Sequence, residues 1–191
     1  MVNVYFFLIS FTLLGAGIKY IDDAFDEKKF NKKIALILAP ILALLWSYTM
    51  IIDQISATIL LAVILGVFFK GKMDNKAHII GFIVISSFIL FIGINLMFLP
   101  LIMLIASVIL DEVGNDVIEF NRGFLNEKRF CHKCFITFFD QRWLTKLTIL
   151  YMVFIGLFPW YFFFAILLFD SAYLFVRMYS RPQQNLQPIN C

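Results

Sequence analysis

Charge is scarce in this chain. Of 191 residues only 15% are charged, while 62% are hydrophobic. A soluble domain carries about 25% charged residues, so an ordinary water-facing globule is excluded. Cysteine is scarcer still. Cys131, Cys134 and Cys191 are the whole set, and an odd, sparse set does not make a disulfide framework. Cys131-His132-Lys133-Cys134 has the spacing of half a zinc or redox site. No second CxxC follows and the chain has only two histidines, so the pair reads as two reduced thiols in a loop. No Arg/aromatic or RNP-like pattern is present, which leaves nucleic acid out as a partner. Basic residues are missing ahead of the first apolar run. That run therefore reads as an uncleaved anchor rather than a secretory signal.

Long apolar runs are abundant. The mean hydropathy is +0.89, and phenylalanine alone contributes 24 residues. A bilayer core of about 30 Å takes about 20 helical residues, with shorter spans tolerated. The runs fall at 2–18, 34–52, 55–69, 79–94, 96–110, 144–158 and 160–176. Two long stretches are divided, one at Asn95 just before Pro100 and one at Pro159, because proline removes a backbone donor and breaks or kinks a helix. Pro40 is expected to kink the second helix rather than end it. The fold expected is thus all-α, a polytopic transmembrane bundle of about seven helices. It is read as one domain over 1–180 with a flexible tail at 181–191.

The basic residues agree with that division. Lys19, Lys28, Lys29, Lys32 and Lys33 follow the first run, and Lys70, Lys72 and Lys76 follow the third. Arg122, Lys128, Arg129, Lys133, Arg142 and Lys146 follow the fifth, and Arg177 and Arg181 follow the seventh. All 16 fall on one side. By the positive-inside rule that side is cytoplasmic. The N-terminus is then outside and the C-terminus inside, in a multi-pass protein of the cell membrane whose first partner is the bilayer.

Acidic residues gather in two places on the same side. Asp22-Asp23-Ala24-Phe25-Asp26 is a DDxxD run. Asp111-Glu112-Val113-Gly114-Asn115-Asp116 follows the fifth apolar run, with Glu119 beyond it. On a helix Asp22 and Asp26 share a side, and Glu112, Asp116 and Glu119 form a stripe. Like charges this close repel unless a cation neutralises them. Oxygen-only ligands favour a hard cation, and Mg²⁺ is held by one or two carboxylates together with water and phosphate oxygens. The candidate metal ligands are Asp22, Asp23, Asp26, Asp111, Glu112 and Asp116. Lys28, Lys29, Lys32, Lys33, Arg122 and Lys128 are candidate contacts to phosphate oxygens. The same acids also fit solvated partners of the loop lysines. Asp170 differs, because it lies inside the last apolar run, where a carboxylate is a functional suspect or a local partner of Arg177.

Taken with the helices between them, the two acidic runs resemble the UbiA family of intramembrane prenyltransferases. That family has an NDxxDxxxD motif, then four transmembrane helices, then a second motif close to DxxxD. Here Asp22, Asp23 and Asp26 match the first motif, with Asp22 at the asparagine position and Phe30 at the place of the last aspartate. Four apolar runs follow before Asp111 and Asp116. The resemblance covers roughly residues 19–119. It implies a prenyl diphosphate held through Mg²⁺, with Asp22, Asp23, Asp26, Asp111 and Asp116 as the catalytic set and an acceptor attacking the allylic carbon. Two other classes also fit the composition. One is a small transporter or channel with Asp170 and Asn95 on its path. The other is a non-catalytic membrane scaffold whose contact surface is the loop 111–143.

Overall fold

A computed structural model describes residues 3–25, 29–69, 75–120 and 130–180. Among them there are eight helices and no strand: α1 (Val4–Phe25), α2 (Lys32–Ile52), α3 (Gln54–Phe69), α4 (Lys76–Ile92), α5 (Phe98–Phe120), α6 (Phe130–Asp140), α7 (Trp143–Phe154) and α8 (Trp160–Ser180). Each of the seven apolar runs carries a helix, although the run 144–158 extends past the end of α7 at Phe154. The eighth helix, α6, falls in the segment expected as a loop, and it carries Cys131 and Cys134. Helices also outrun their apolar stretches, two of them into the acidic runs. α1 continues through Asp22 and Asp23, and α5 continues through Asp111, Glu112 and Asp116.

Local chemistry sets the boundaries. Asn31 caps α2 by accepting from the Lys33 N–H at 2.9 Å. Asn75 does the same for α4 from the His78 N–H, also at 2.9 Å. Side-chain oxygens at this position satisfy the donors left free in a first helical turn. α2 and α3 are separated by Asp53 alone, whose Oδ2 accepts from the Ser56 N–H at 2.7 Å and starts the next helix. Pro40 stays inside a continuous α2. The stretch 93–97 parts α4 from α5, beginning at Gly93 with φ +80°, a conformation that glycine adopts at no steric cost.

Three helices, α1, α2 and α8, are long and apolar enough to cross a membrane, and shorter apolar helices occupy 54–66, 76–92 and 143–154. Large apolar side chains point outward over much of the surface. Leu90 is 83% exposed and Phe91 90% exposed. A water-soluble monomer does not carry such a belt; the chain is a membrane protein whose outer face meets lipid.

The order of contacts gives the helix directions. Along α1 and α8 the partners rise together. Phe7 packs on Phe162 at 5.2 Å between ring centroids, Gly15 lies against the backbone carbonyl of Phe169, and Lys19 stands over the Tyr173 ring at 5.3 Å. These two helices are parallel. A Cβ at Gly15 would come within 2.1 Å of the Phe169 oxygen, so only glycine allows this approach, as at small-residue crossings in membranes. Along α1 and α2 the order reverses, with Phe6 on Tyr48 and Gly17 on Leu42. α3 and α5 are parallel: Thr58 Oγ1 accepts from the Met97 N–H at 3.1 Å, and Gly66 faces Val108.

Candidate functional site

Polar side chains collect at one end of this bundle: the C-terminal end of α1, the start of α4, the C-terminal half of α5, the α6–α7 turn and the C-terminal half of α8. Asp22 and Asp23 are neighbours in sequence and therefore diverge by about 100° around α1. Asp23 is buried, and its Oδ1 lies 2.8 Å from Lys19 Nζ one turn earlier. Its Oδ2 has no partner among the described residues. Asp22 faces α4, where its Oδ1 meets His78 Nε2. The cap at Asn75 fixes where α4 begins, and so places His78 in the first turn opposite Asp22.

The second acidic run meets a different set of groups. α7 starts at Trp143 after Arg142, which has φ 51° and ψ 48° and gives the helix no side-chain cap. Asp111 supplies the cap from α5. Its Oδ1 accepts from the Leu144 N–H at 3.1 Å, and its Oδ2 from the N–H and the hydroxyl of Thr145, both at 2.7 Å. A carboxylate at a helix N-terminus gains from the free donors and from the helix dipole. Glu112, also buried, lies 2.7 Å through Oε1 from the Arg142 guanidinium. Asp116 stands on the exposed side of α5.

Residues that sequence reasoning left in other roles complete this end. Asp170 does not pair with Arg177, two turns along its own helix. Its Oδ2 lies 2.8 Å from Lys146 Nζ of α7. Arg177 reaches Asp140 at the end of α6 at 2.9 Å instead. Lys19 and Lys146, expected at loop or helix-start positions, are buried inside α1 and α7. Tyr173 holds two cations to its ring, Lys19 Nζ and the Arg142 guanidinium, each at 5.3 Å from the centroid. A ring face attracts cations through its quadrupole. Burial alone would lower the pKa of Arg142. The Glu112 carboxylate, with Tyr173, Asp170 and Asp22 behind it, reverses this and pushes it up, so the guanidinium stays charged.

Two cavities open within this frame. The polar one, about 230 Å³, is lined by Lys19, Asp22, His78, Asn115, Asp140, Gln141, Arg142, Asp170, Tyr173 and Arg177, with Ile18, Val63, Phe169 and Leu174. The apolar one, about 110 Å³, lies between α1, α2, α3 and α4, with Ala39, Leu42, Trp46, Ile64, Phe82 and Ile85 among its walls. Ile18, Val63 and His78 line both.

Asp22 and Asn115 bring the two acidic segments to one cavity. Lys29 lies elsewhere, donating to the Tyr179 carbonyl at 2.6 Å, and Lys32 stands over the Phe25 ring at 5.5 Å. Lys33 is exposed. Asp26, Lys28, Arg122 and Lys128 lie outside the described residues, as does the tail 181–191. Mg²⁺ asks for a near-octahedral set of oxygens at about 2.0–2.1 Å. Among the described residues no three of His, Cys, Asp and Glu converge in that way. Asp111 commits both oxygens to α7, Glu112 faces Arg142, Asp23 faces Lys19 and Asp22 faces His78. As placed, each of these four carboxylates already has a polar partner within the protein, and the third acid of the first run, Asp26, lies outside the described residues. Cys134 is exposed on α6.

Comparison with protein-family models, curated proteins and solved structures finds no match. The likeness to UbiA enzymes therefore rests on the order of the acidic runs and the helices between them.

Proposed function

We propose that this is a multi-pass membrane protein that binds the phosphate-bearing head of a membrane lipid in the polar cavity. The single observation that carries the reading is the shared wall: Ile18, Val63 and His78 line both cavities. An amphiphile has this division, with a head that needs charged partners and a tail that needs apolar walls. Arg142, Lys19 and Arg177 supply donors at the head.

Seven crossings fit this reading, with the start of α1 outside and the end of α8 cytoplasmic. Parallel packing of α1 and α8 supports it. Crossings alternate in direction, so eight would set these helices antiparallel, whereas seven, with α6 lying at the surface, make them parallel. The polar end is then also the end that the positive-inside rule assigns to the cytoplasm of the cell membrane.

A second reading makes the same cavity a prenyl diphosphate site of an intramembrane prenyltransferase with Mg²⁺. Its support is that Asp22 and the 111–119 segment border one cavity. It requires Asp22 and Asp23 to leave His78 and Lys19. Binding of a prenyl thiodiphosphate to the purified protein, with and without Mg²⁺, separates the two. Binding that Mg²⁺ leaves unchanged and Arg142→Gln abolishes supports the lipid-head site. Binding that depends on Mg²⁺ and on Asp23 supports the enzyme. No binding of this probe, or of any phospholipid, overturns both.

A further inference from the structure

The polar cavity is lined by charges of both signs in equal number. Lys19, Arg142 and Arg177 stand against Asp22, Asp140 and Asp170, with His78 at the apolar mouth. A ligand with only negative charge meets three carboxylates there, and a bare cation meets three fixed cations. In a partly buried site such like-charge approaches are costly, because little water screens them. A head that carries both signs avoids both penalties.

Among the described residues, these groups are also only partly used. Arg142 has five N–H donors. Among the described residues one terminal nitrogen meets Glu112; the side chain remains 31% exposed, and Arg142 lines the polar cavity. Its φ of 51° is an unusual conformation for a residue with a Cβ. Such outliers persist where surrounding structure holds them, often at ligand sites; here Glu112 and Tyr173 hold the side chain. Lys146 takes Oδ2 of Asp170, which leaves Oδ1 as an acceptor. Tyr173 keeps Lys19 and Arg142 on one ring, so two cations share a wall where an anion between them is favoured.

We infer that the cavity selects a zwitterionic aminophosphate head, with the phosphate between Arg142 and Lys19, the ammonium at Asp170 and Asp22, and the hydrocarbon passing His78 into the apolar cavity. This rests on the lipid-head reading of the same cavity and narrows it. An apolar cavity of about 150 Å³ takes up a benzene-sized guest, so the 110 Å³ here admits only a short segment of one chain. The head therefore carries most of the selectivity.

The test is native mass spectrometry of the purified full chain, titrated with phosphatidylethanolamine, phosphatidylcholine and phosphatidylglycerol of identical acyl chains, with soluble phosphoethanolamine as competitor. The ethanolamine lipid is expected to bind roughly tenfold more tightly than the glycerol lipid, a difference of about 1.4 kcal/mol. The choline lipid, which has no N–H donor, falls between them. Competition by phosphoethanolamine shows that the head is read; failure to compete shows that the lipid source is required. Asp22→Asn is expected to reduce the preference. Asp170→Leu with Lys146→Met removes a buried pair as a unit and spares the fold an unpaired charge; it is expected to abolish the preference while leaving glycerol-lipid binding. Glycerol-lipid binding as tight as ethanolamine-lipid binding, unmoved by these variants, overturns the zwitterion and leaves the lipid-head site standing. No retention of any lipid overturns both.

Discussion

The two acidic segments look alike as sequence and differ in what surrounds them. In α1, Asp23 is paired within its own helix by Lys19, and Asp22 meets His78 across the cavity mouth. In α5, Asp111 and Glu112 reach forward in sequence to α7 and to the turn before it. The α5 pair acts as a bracket. It caps α7, fixes Arg142 and so builds one wall of the polar cavity. Asp22 stands on the wall itself and is free to answer a ligand. A carboxylate with both oxygens engaged in a buried cap is a structural group. A carboxylate 23% exposed beside a cavity, with one partner among the described residues, is a functional candidate.

That contrast can be broken by substitution. Asp111→Ala has the largest expected effect. It strands the Leu144 and Thr145 N–H groups and the Thr145 hydroxyl in a buried place, costing about 3 kcal/mol, or a melting shift of about 6–12 °C in detergent. Thermal unfolding measures it, and a shift below about 2 °C would remove the bracket role. Glu112→Gln comes next. It keeps the shape but withdraws the charge opposite Arg142, at about 2 kcal/mol, and loosens lipid binding through Arg142; thermal unfolding and lipid titration measure the two effects. Asp22→Asn should cost under about 1 kcal/mol, since the pair is partly exposed, yet shift head-group preference in the same titration. Lys33→Ala should do neither, because the side chain is exposed and lies off the cavity. If Asp22→Asn unfolded the protein as readily as Asp111→Ala, the distinction between the segments would fail.

Much of the fold was legible because apolar length is a local signal. Each of the seven runs carries a helix, and the breaks at 93–97 and near Pro159 fall where expected, although the second begins early, at the end of α7 at Phe154. α6 was missed because its phenylalanines alternate with His132, Lys133 and Thr137, a pattern with no long apolar stretch. The ends of α1 and α5 were drawn short because hydropathy marks where a helix leaves hydrocarbon, which differs from where its hydrogen bonds stop. The site was half legible. Asp22, Asp111 and Glu112 stood out as acids after apolar runs, and Asp170 as an acid within one. Their partners did not, since Lys146 reads as one more basic residue beside a loop. Nothing near it in sequence shows that it is buried against Asp170. Ion pairing between distant helices is set by packing, and packing at Gly15, Gly17 and Gly66 has no signature beyond small residues.

Exchange of the purified chain into nanodiscs of defined lipid, followed by mass measurement of what remains bound after release, tests the lipid-head site most directly. One phospholipid retained per chain, and lost in Arg142→Gln while the fold is kept, is the expected result. Retention that Arg142→Gln leaves unchanged, or no lipid retained by the unaltered chain, would contradict it.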